Sequence, residues 1–325
     1  MNLLFFNTKH RILLGFAVWL IWVILRQPAP LEPEWARGIL LLAPLVVFPM
    51  GIDILLRSEL FQDSQILGVV RKWAFLPAML FVFAYLLKPG WLALVMALPW
   101  VVVTVMIAWI GASRILDTMW KEVSGFCLAS GMVYLSMAGV WIVFDRTGFR
   151  PLDYDPEIVF LTIVHFHYAG FILPLVSGLA IRETGGTIGK IIGYMIVSGI
   201  SLVAAGIVFS QLGFGPDWEG VSAWWMAISG LAVAGMHLRL FFKKEISMKV
   251  RVLWAFAATM LAGGMLLAGL YGTRYLAPLS GLDIPAMRAL HGTMNAVGFG
   301  LFATLGWWLN VSKKSPTNPE KSAIR

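Results

Sequence analysis

The chain has 325 residues; 59% are hydrophobic, 13% are charged, and the formal net charge is +8. Soluble domains are usually about 45–50% apolar and about 25% charged. With a mean hydropathy of +0.81, this composition excludes an ordinary soluble protein and predicts an all-α, polytopic transmembrane helix bundle. The positive charge does not indicate nucleic acid, because the basic residues fall in short loops between apolar runs, as they do beside membrane helices. The single cysteine, Cys127, lies in an apolar run. It excludes a disulfide framework, a cysteine-based zinc site and a c-type haem attachment motif, and reads as a small buried hydrophobe.

Lys9, His10 and Arg11 precede the first apolar run, which ends at Arg26, Gln27 and Pro28 without a small-residue cleavage site. A retained first span that starts translocation is expected. A helix needs about 20 residues to cross the hydrocarbon core. On that criterion the spans are expected near 11–26, 38–56, 73–87, 91–111, 123–144, 157–181, 188–209, 221–242, 251–271 and 285–309. The run at 73–87 is short; without it, every later orientation reverses. With ten spans and a cytoplasmic N-terminus, eighteen of the 25 Lys and Arg residues face the cytoplasm, the bias that sets membrane orientation. The opposite loops are acidic, with Glu32, Glu34, Asp145, Asp153, Asp155, Glu157, Asp217, Glu219 and Asp283. Both termini are then cytoplasmic. One membrane domain, 1–312, and a disordered tail, 313–325, are expected.

Tryptophans at or near predicted span ends (Trp35, Trp91, Trp141, Trp218, Trp307 and Trp308) fit an interfacial belt. Glycines recur within several spans, where they allow helices to approach closely. Pro44, Pro49, Pro99 and Pro174 lie inside spans, and each removes a helical hydrogen bond.

Two stretches carry polar chemistry. The first is Leu161, Thr162, Ile163, Val164, His165, Phe166, His167, Tyr168, Ala169, Gly170 and Phe171; the second runs from Arg288 through His291, Gly292 and Asn295 to Gly298 and Phe299. At a rise of 1.5 Å per residue, His165 lies about 12 Å along its span from the outer side and His291 about 9 Å. His165, His167, His291 and Asn295 therefore share a depth in the outer half. At about 100° per residue, His165 and His167 point about 160° apart, so one of them at most joins His291; which one is open. His291 and Asn295, four residues apart, share a face. Gly170, Gly292 and Gly298 leave room for a partner helix or a flat ligand. Thr162, Tyr168 and Asn295 are candidate supporting polar groups.

Ionisable groups inside a membrane are costly, so each is a candidate site. The bland alternative is a neutral histidine hydrogen-bonded across helices, and it suffices for a lone one such as His237. Asp53 with Arg57 at i+4 reads as an interfacial ion pair, with a proton-coupling carboxylate as the alternative.

The His165, Phe166, His167, Tyr168 sequence locally resembles the two-histidine helix of subunit I of the haem–copper oxidases. That family needs six ligand histidines, and this chain has five, so a terminal oxidase is excluded while a single haem is not. The whole pattern resembles the YndJ-like family of bacterial membrane proteins. Both hallmarks of that family are present, a Leu-Thr-x-x-His-Phe-His-Tyr-Ala-Gly-Phe stretch at 161–171 and a His-Gly-x-x-Asn-Ala-x-Gly-Phe stretch at 291–299. The resemblance implies a multi-pass membrane protein, and some members carry a soluble domain after the membrane region. Its implication for activity is slight; the description of members as transporters carries no mechanism.

Three functions remain open from the residues. One is a site for a transition metal, a haem or a lipid-soluble or other small-molecule ligand, with redox or acid–base chemistry. The second is a secondary transporter of a small solute. The third is a structural partner in a membrane complex.

Overall fold

The computed structural model describes residues 7–314, with side chains to residue 312. Among the described residues there is no strand. The helices are α1 (Thr8–Arg26), α2 (Pro33–Leu56), α3 (Gln65–Trp73), α4 (Phe75–Leu86), α5 (Trp91–Met119), α6 (Val123–Thr147), α7 (Pro156–Thr184), α8 (Gly186–Gln211), α9 (Asp217–Phe241), α10 (Met248–Gly272) and α11 (284–314). Their positions match the expected spans closely. Eight of them are long and apolar enough to cross a membrane. A ninth crossing results if α3 and α4, which meet at 52°, are one broken span. This pair is where the short run at 73–87 was expected. The final helix is not among the eight. The expected tail lies outside the described residues, except that α11 continues through the backbone of Lys313 and Lys314.

Helix α2 is the centre of the bundle. Of its most apolar stretch, 89% is buried, against 11% for α1, whose leucines and isoleucines face outward. In water such a surface would be unstable; here it is the surface offered to lipid.

Proline shapes two helices from within. Pro49 and Pro174 have no N–H to donate, and the turn before each winds with wider, five-residue hydrogen bonds. Phe48 N–H reaches Ala43 O and Leu173 N–H reaches Tyr168 O. The π-wound segments are Ala43–Val47 in α2 and Phe166–Ile172 in α7. Pro49 leaves Leu45 O without its i+4 donor. Gly15 of α1 rests against that carbonyl so closely that a Cβ there would stand 2.1 Å from the oxygen. Helix α11 is π-wound over Arg288–Gly292 and Met294–Leu301, in its glycine-rich part. Its π-wound segment packs against those of α2 and α7. Thus both polar stretches singled out in the sequence depart from regular α winding, a departure often found at functional sites.

The two ends of the bundle are tied by polar groups. At one end, Arg146 of α6 pairs with Asp145 at 2.6 Å, lies 4.1 Å over the Tyr85 ring and donates to Ala84 O and Leu87 O. At the same end, Arg288 of α11 is 5% exposed and donates to Glu157 of α7 and to Leu31 O. At the other end, Asp53 of α2 gathers Arg57 and Arg71.

Candidate functional site

Helices α7 and α11 bring His165 and His291 together. Their ring centroids lie 6.1 Å apart with planes inclined by 27°. His167 points away, as the helical angle requires, and is 2% exposed. Trp100 of α5 donates its indole N–H to His167 Nε2 at 3.1 Å, while His167 Nδ1 donates to Ile163 O at 2.8 Å. His165 is thus the member of the pair that faces His291.

His237 repeats the arrangement of His167. It is fully buried, accepts from Trp307 Nε1 at 3.1 Å and donates from Nδ1 to Val233 O at 3.0 Å. Both rings are saturated by neutral partners, so cross-helix bonding accounts for them.

His165 and His291 differ. Their Nδ1 atoms are also held by backbone carbonyls, Leu161 O at 2.7 Å and Gly264 O at 2.8 Å. A carbonyl only accepts, so each Nδ1 carries the hydrogen and each neutral ring keeps its lone pair at Nε2. No indole donates to either Nε2. Among the described residues no hydrogen bond reaches Nε2 of His165, and only the Asn295 amide approaches that of His291, at 3.3 Å. His165 is exposed at the bundle surface and His291 is half-buried beside it, so the pair lies at the side of the bundle.

Asn295 sits directly beneath His291, its Nδ2 3.0 Å from Nδ1, and its Oδ1 is buried without a partner. The contact depends on Gly264 of α10, where a Cβ would lie 2.3 Å from Oδ1. The Glu157–Arg288 pair ties the same two helices at the bundle end, one turn from His291.

The remaining candidate residues lie elsewhere. Thr162 donates back to Ile158 O at 2.7 Å, and Tyr168 donates to Ile39 O of α2 at 2.9 Å. Gly170 lies beside the Phe166 ring of its own helix and lets α7 sit against Tyr134 of α6, and Gly298 faces the Met260 side chain. A Cβ on Gly292 would have Ile39 Cδ1 as its nearest neighbour, at 3.7 Å, an ordinary contact. Asp53 and Arg57 pair at 3.1 Å as the spacing predicts, but Asp53 is 2% exposed and part of a larger cluster. Trp308 Nε1 donates to it at 2.9 Å, Thr8 Oγ1 at 3.4 Å, and Arg71 lies 3.7 Å away.

The interfacial-belt expectation is corrected for Trp307 and Trp308. They are 1% and 7% exposed and serve His237 and Asp53. An indole N–H in an apolar interior needs an acceptor, and these two find titratable ones on different helices. The sequence offered a signal for this, since His167, His237 and Asp53 each need a partner inside the membrane.

Among the described residues no three His, Cys, Asp or Glu side chains converge as metal ligands. Among those residues the site offers two imidazole donors, and any fuller coordination shell would need Asn295, water or the ligand itself.

Comparison with known proteins agrees with this architecture. The chain is 25% identical over 299 residues to the "Uncharacterized membrane protein YndJ" of Bacillus subtilis (strain 168). The match covers 89% of this chain and 52% of that protein, so the chain spans about half the length of the curated relative it matches. No solved structure matches. The family described as YndJ-like protein matches residues 38–299, a segment that includes both histidine stretches, and the chain belongs to that family.

Proposed function

We propose that this YndJ-like membrane protein binds a transition-metal ion, free or as the iron of a haem, between His165 and His291. The observation that carries the reading is the pair of Nδ1–carbonyl bonds on neighbouring rings, which leaves the Nε2 lone pair of His165 without a partner among the described residues and that of His291 with only the long Asn295 contact. Metal-ligating histidines commonly donate their other nitrogen to such an acceptor, and imidazole suits iron, copper and zinc. His165 and His291 would be the two protein donors to a cuprous ion or to a haem iron. The position at the side of the bundle suits a lipid-soluble partner, on which a bound metal would do redox chemistry or a free imidazole acid–base chemistry.

The same proposal puts the chain in the cytoplasmic membrane as one domain, 1–312, crossing ten times with both termini inside. The charge bias of the loops supports that orientation. Solute transport by two inverted halves calls for matched helix breaks, and the α3–α4 bend has no counterpart among the other described helices.

The test is metal loading of the purified protein. After chelation and reloading with copper or zinc, the wild type should hold one ion per chain by mass spectrometry of the metal. His165→Ala and His291→Ala should each lose it, and His10→Ala should not. A visible spectrum of the protein as purified tests for haem. A colourless protein that takes up no metal, or one whose uptake survives both substitutions, removes this function.

A further inference from the structure

The second polar cluster has a charge imbalance. Two guanidinium groups, Arg57 and Arg71, lie against one carboxylate, Asp53, and a third, that of Arg11, is held on the Arg71 main-chain carbonyl. Asp53 is already saturated. Its Oδ1 faces Thr8 and Arg71, and its Oδ2 faces Arg57 and Trp308. Arg11 is 9% exposed, pairs with no carboxylate among the described residues, and donates to Arg71 O. The cluster therefore holds two positive charges in excess at the end of an apolar bundle. Arg57 and Arg71 are partly exposed, but Arg11 is buried, where an unpaired charge is costly, and no ion pair among the described residues reaches it.

The surroundings show what would. A narrow crevice runs between α1, α2 and the α3–α4 bend. Thr8, Arg11 and Arg71 form its polar part, and Phe48, Pro49 and Phe75 are among its apolar walls. Its edge, α1, is the least buried in protein of the eight candidate spans. An arginine fork matches phosphate oxygens, and the apolar wall matches an acyl chain. This end is also the one that the charge bias predicts to face the cytoplasm, where anionic headgroups attract basic groups beside membrane helices.

We propose that Arg11, Arg71 and Thr8 bind the phosphate of an anionic glycerophospholipid, whose acyl chain lies along the Phe48, Pro49 and Phe75 wall. The lipid's single negative charge offsets that of buried Arg11, and the lipid fastens α1 and the α3–α4 bend to α2. This site is separate from the histidine pair and stands or falls without it.

Thermal unfolding of the full chain, purified in neutral detergent and supplied with defined lipid, is the test. Phosphatidylglycerol should raise the melting temperature by several degrees more than phosphatidylcholine, and inorganic phosphate at millimolar concentration should not reproduce the rise. Arg71→Gln, whose side chain is half-exposed, should fold and lose at least half of the phosphatidylglycerol-specific shift. Arg11→Gln should lose more, and Arg239→Gln, at the same end of the bundle, should lose none. Equal stabilisation by the two lipids overturns the proposal, as does a full shift retained in Arg71→Gln. A shift reproduced by inorganic phosphate assigns the cluster to a free anion and overturns the lipid.

Discussion

His165 and His291 face each other with ring centroids 6.1 Å apart, each ring fixed through Nδ1 to a main-chain carbonyl. The protein thus sets the tautomer and the plane of both rings before any ligand arrives. The same Nδ1 bond occurs in His167 and His237, but there an indole fills Nε2. The presence or absence of that indole separates the structural histidines from the candidate ligands.

Metal and proton compete for one lone pair on each ring. Metal retained by the wild type should fall as the solution is acidified, since a protonated imidazole has no lone pair to give. The check is bound metal against pH at constant free metal. A flat profile across the imidazole range would remove both rings as ligands.

Trp100→Phe keeps the aromatic bulk but leaves Nε2 of buried His167 without a donor. An unsatisfied buried polar group costs about 1–3 kcal/mol, so the variant should unfold at lower temperature. Metal uptake at His165 and His291 should be unchanged, which distinguishes a structural loss from a loss of the site.

Asp53 accepts from groups on α1, α2, α3 and α11. Asp53→Asn removes the carboxylate charge that Arg57 and Arg71 share. A cost on the order of 2 kcal/mol is expected, in the range for hydrogen bonds to charged groups, because Arg57 and Arg71 are partly exposed. Trp308→Phe should cost less, as it removes one donor of four. Equal stability of Asp53→Asn and wild type in a thermal scan would exclude a stabilising role for the cluster.

Gly15→Ala places a Cβ against the Leu45 carbonyl, which is main chain and cannot rotate away. Overpacking of this kind costs about 1–3 kcal/mol. Gly235→Ala meets nothing within 4 Å and should be neutral or stabilising, because alanine favours helix by up to about 1 kcal/mol over glycine. Opposite shifts in melting temperature are expected for the two variants.

Arg288 and Glu157 hold α11 against α7 beside the histidines. Their side chains are 3% and 32% exposed, so the pair is more than a surface contact. A double-mutant cycle with Glu157→Gln and Arg288→Gln should give a coupling of about 1–2 kcal/mol. Both single variants should also weaken metal retention, since the two ligands then lose their common frame.

The sequence by itself determined the class, the helix positions and part of the site. Twenty-residue apolar runs locate helices because lipid leaves no other solution for the backbone. The 100° step of the helix separates His165 from His167, and the i+4 spacing puts His291 over Asn295. Only the tertiary structure decided which faces meet. In a soluble helix an apolar stripe marks the buried side; in a membrane helix the lipid-facing side is equally apolar, so hydropathy does not show where α5, α10 or α11 turns its residues. Trp100, Trp307, Trp308, Gly264 and Arg71 therefore carried no local mark of their roles. Those roles follow from helices distant in sequence arriving at one depth, where buried polar groups must find one another because neither lipid nor water can satisfy them.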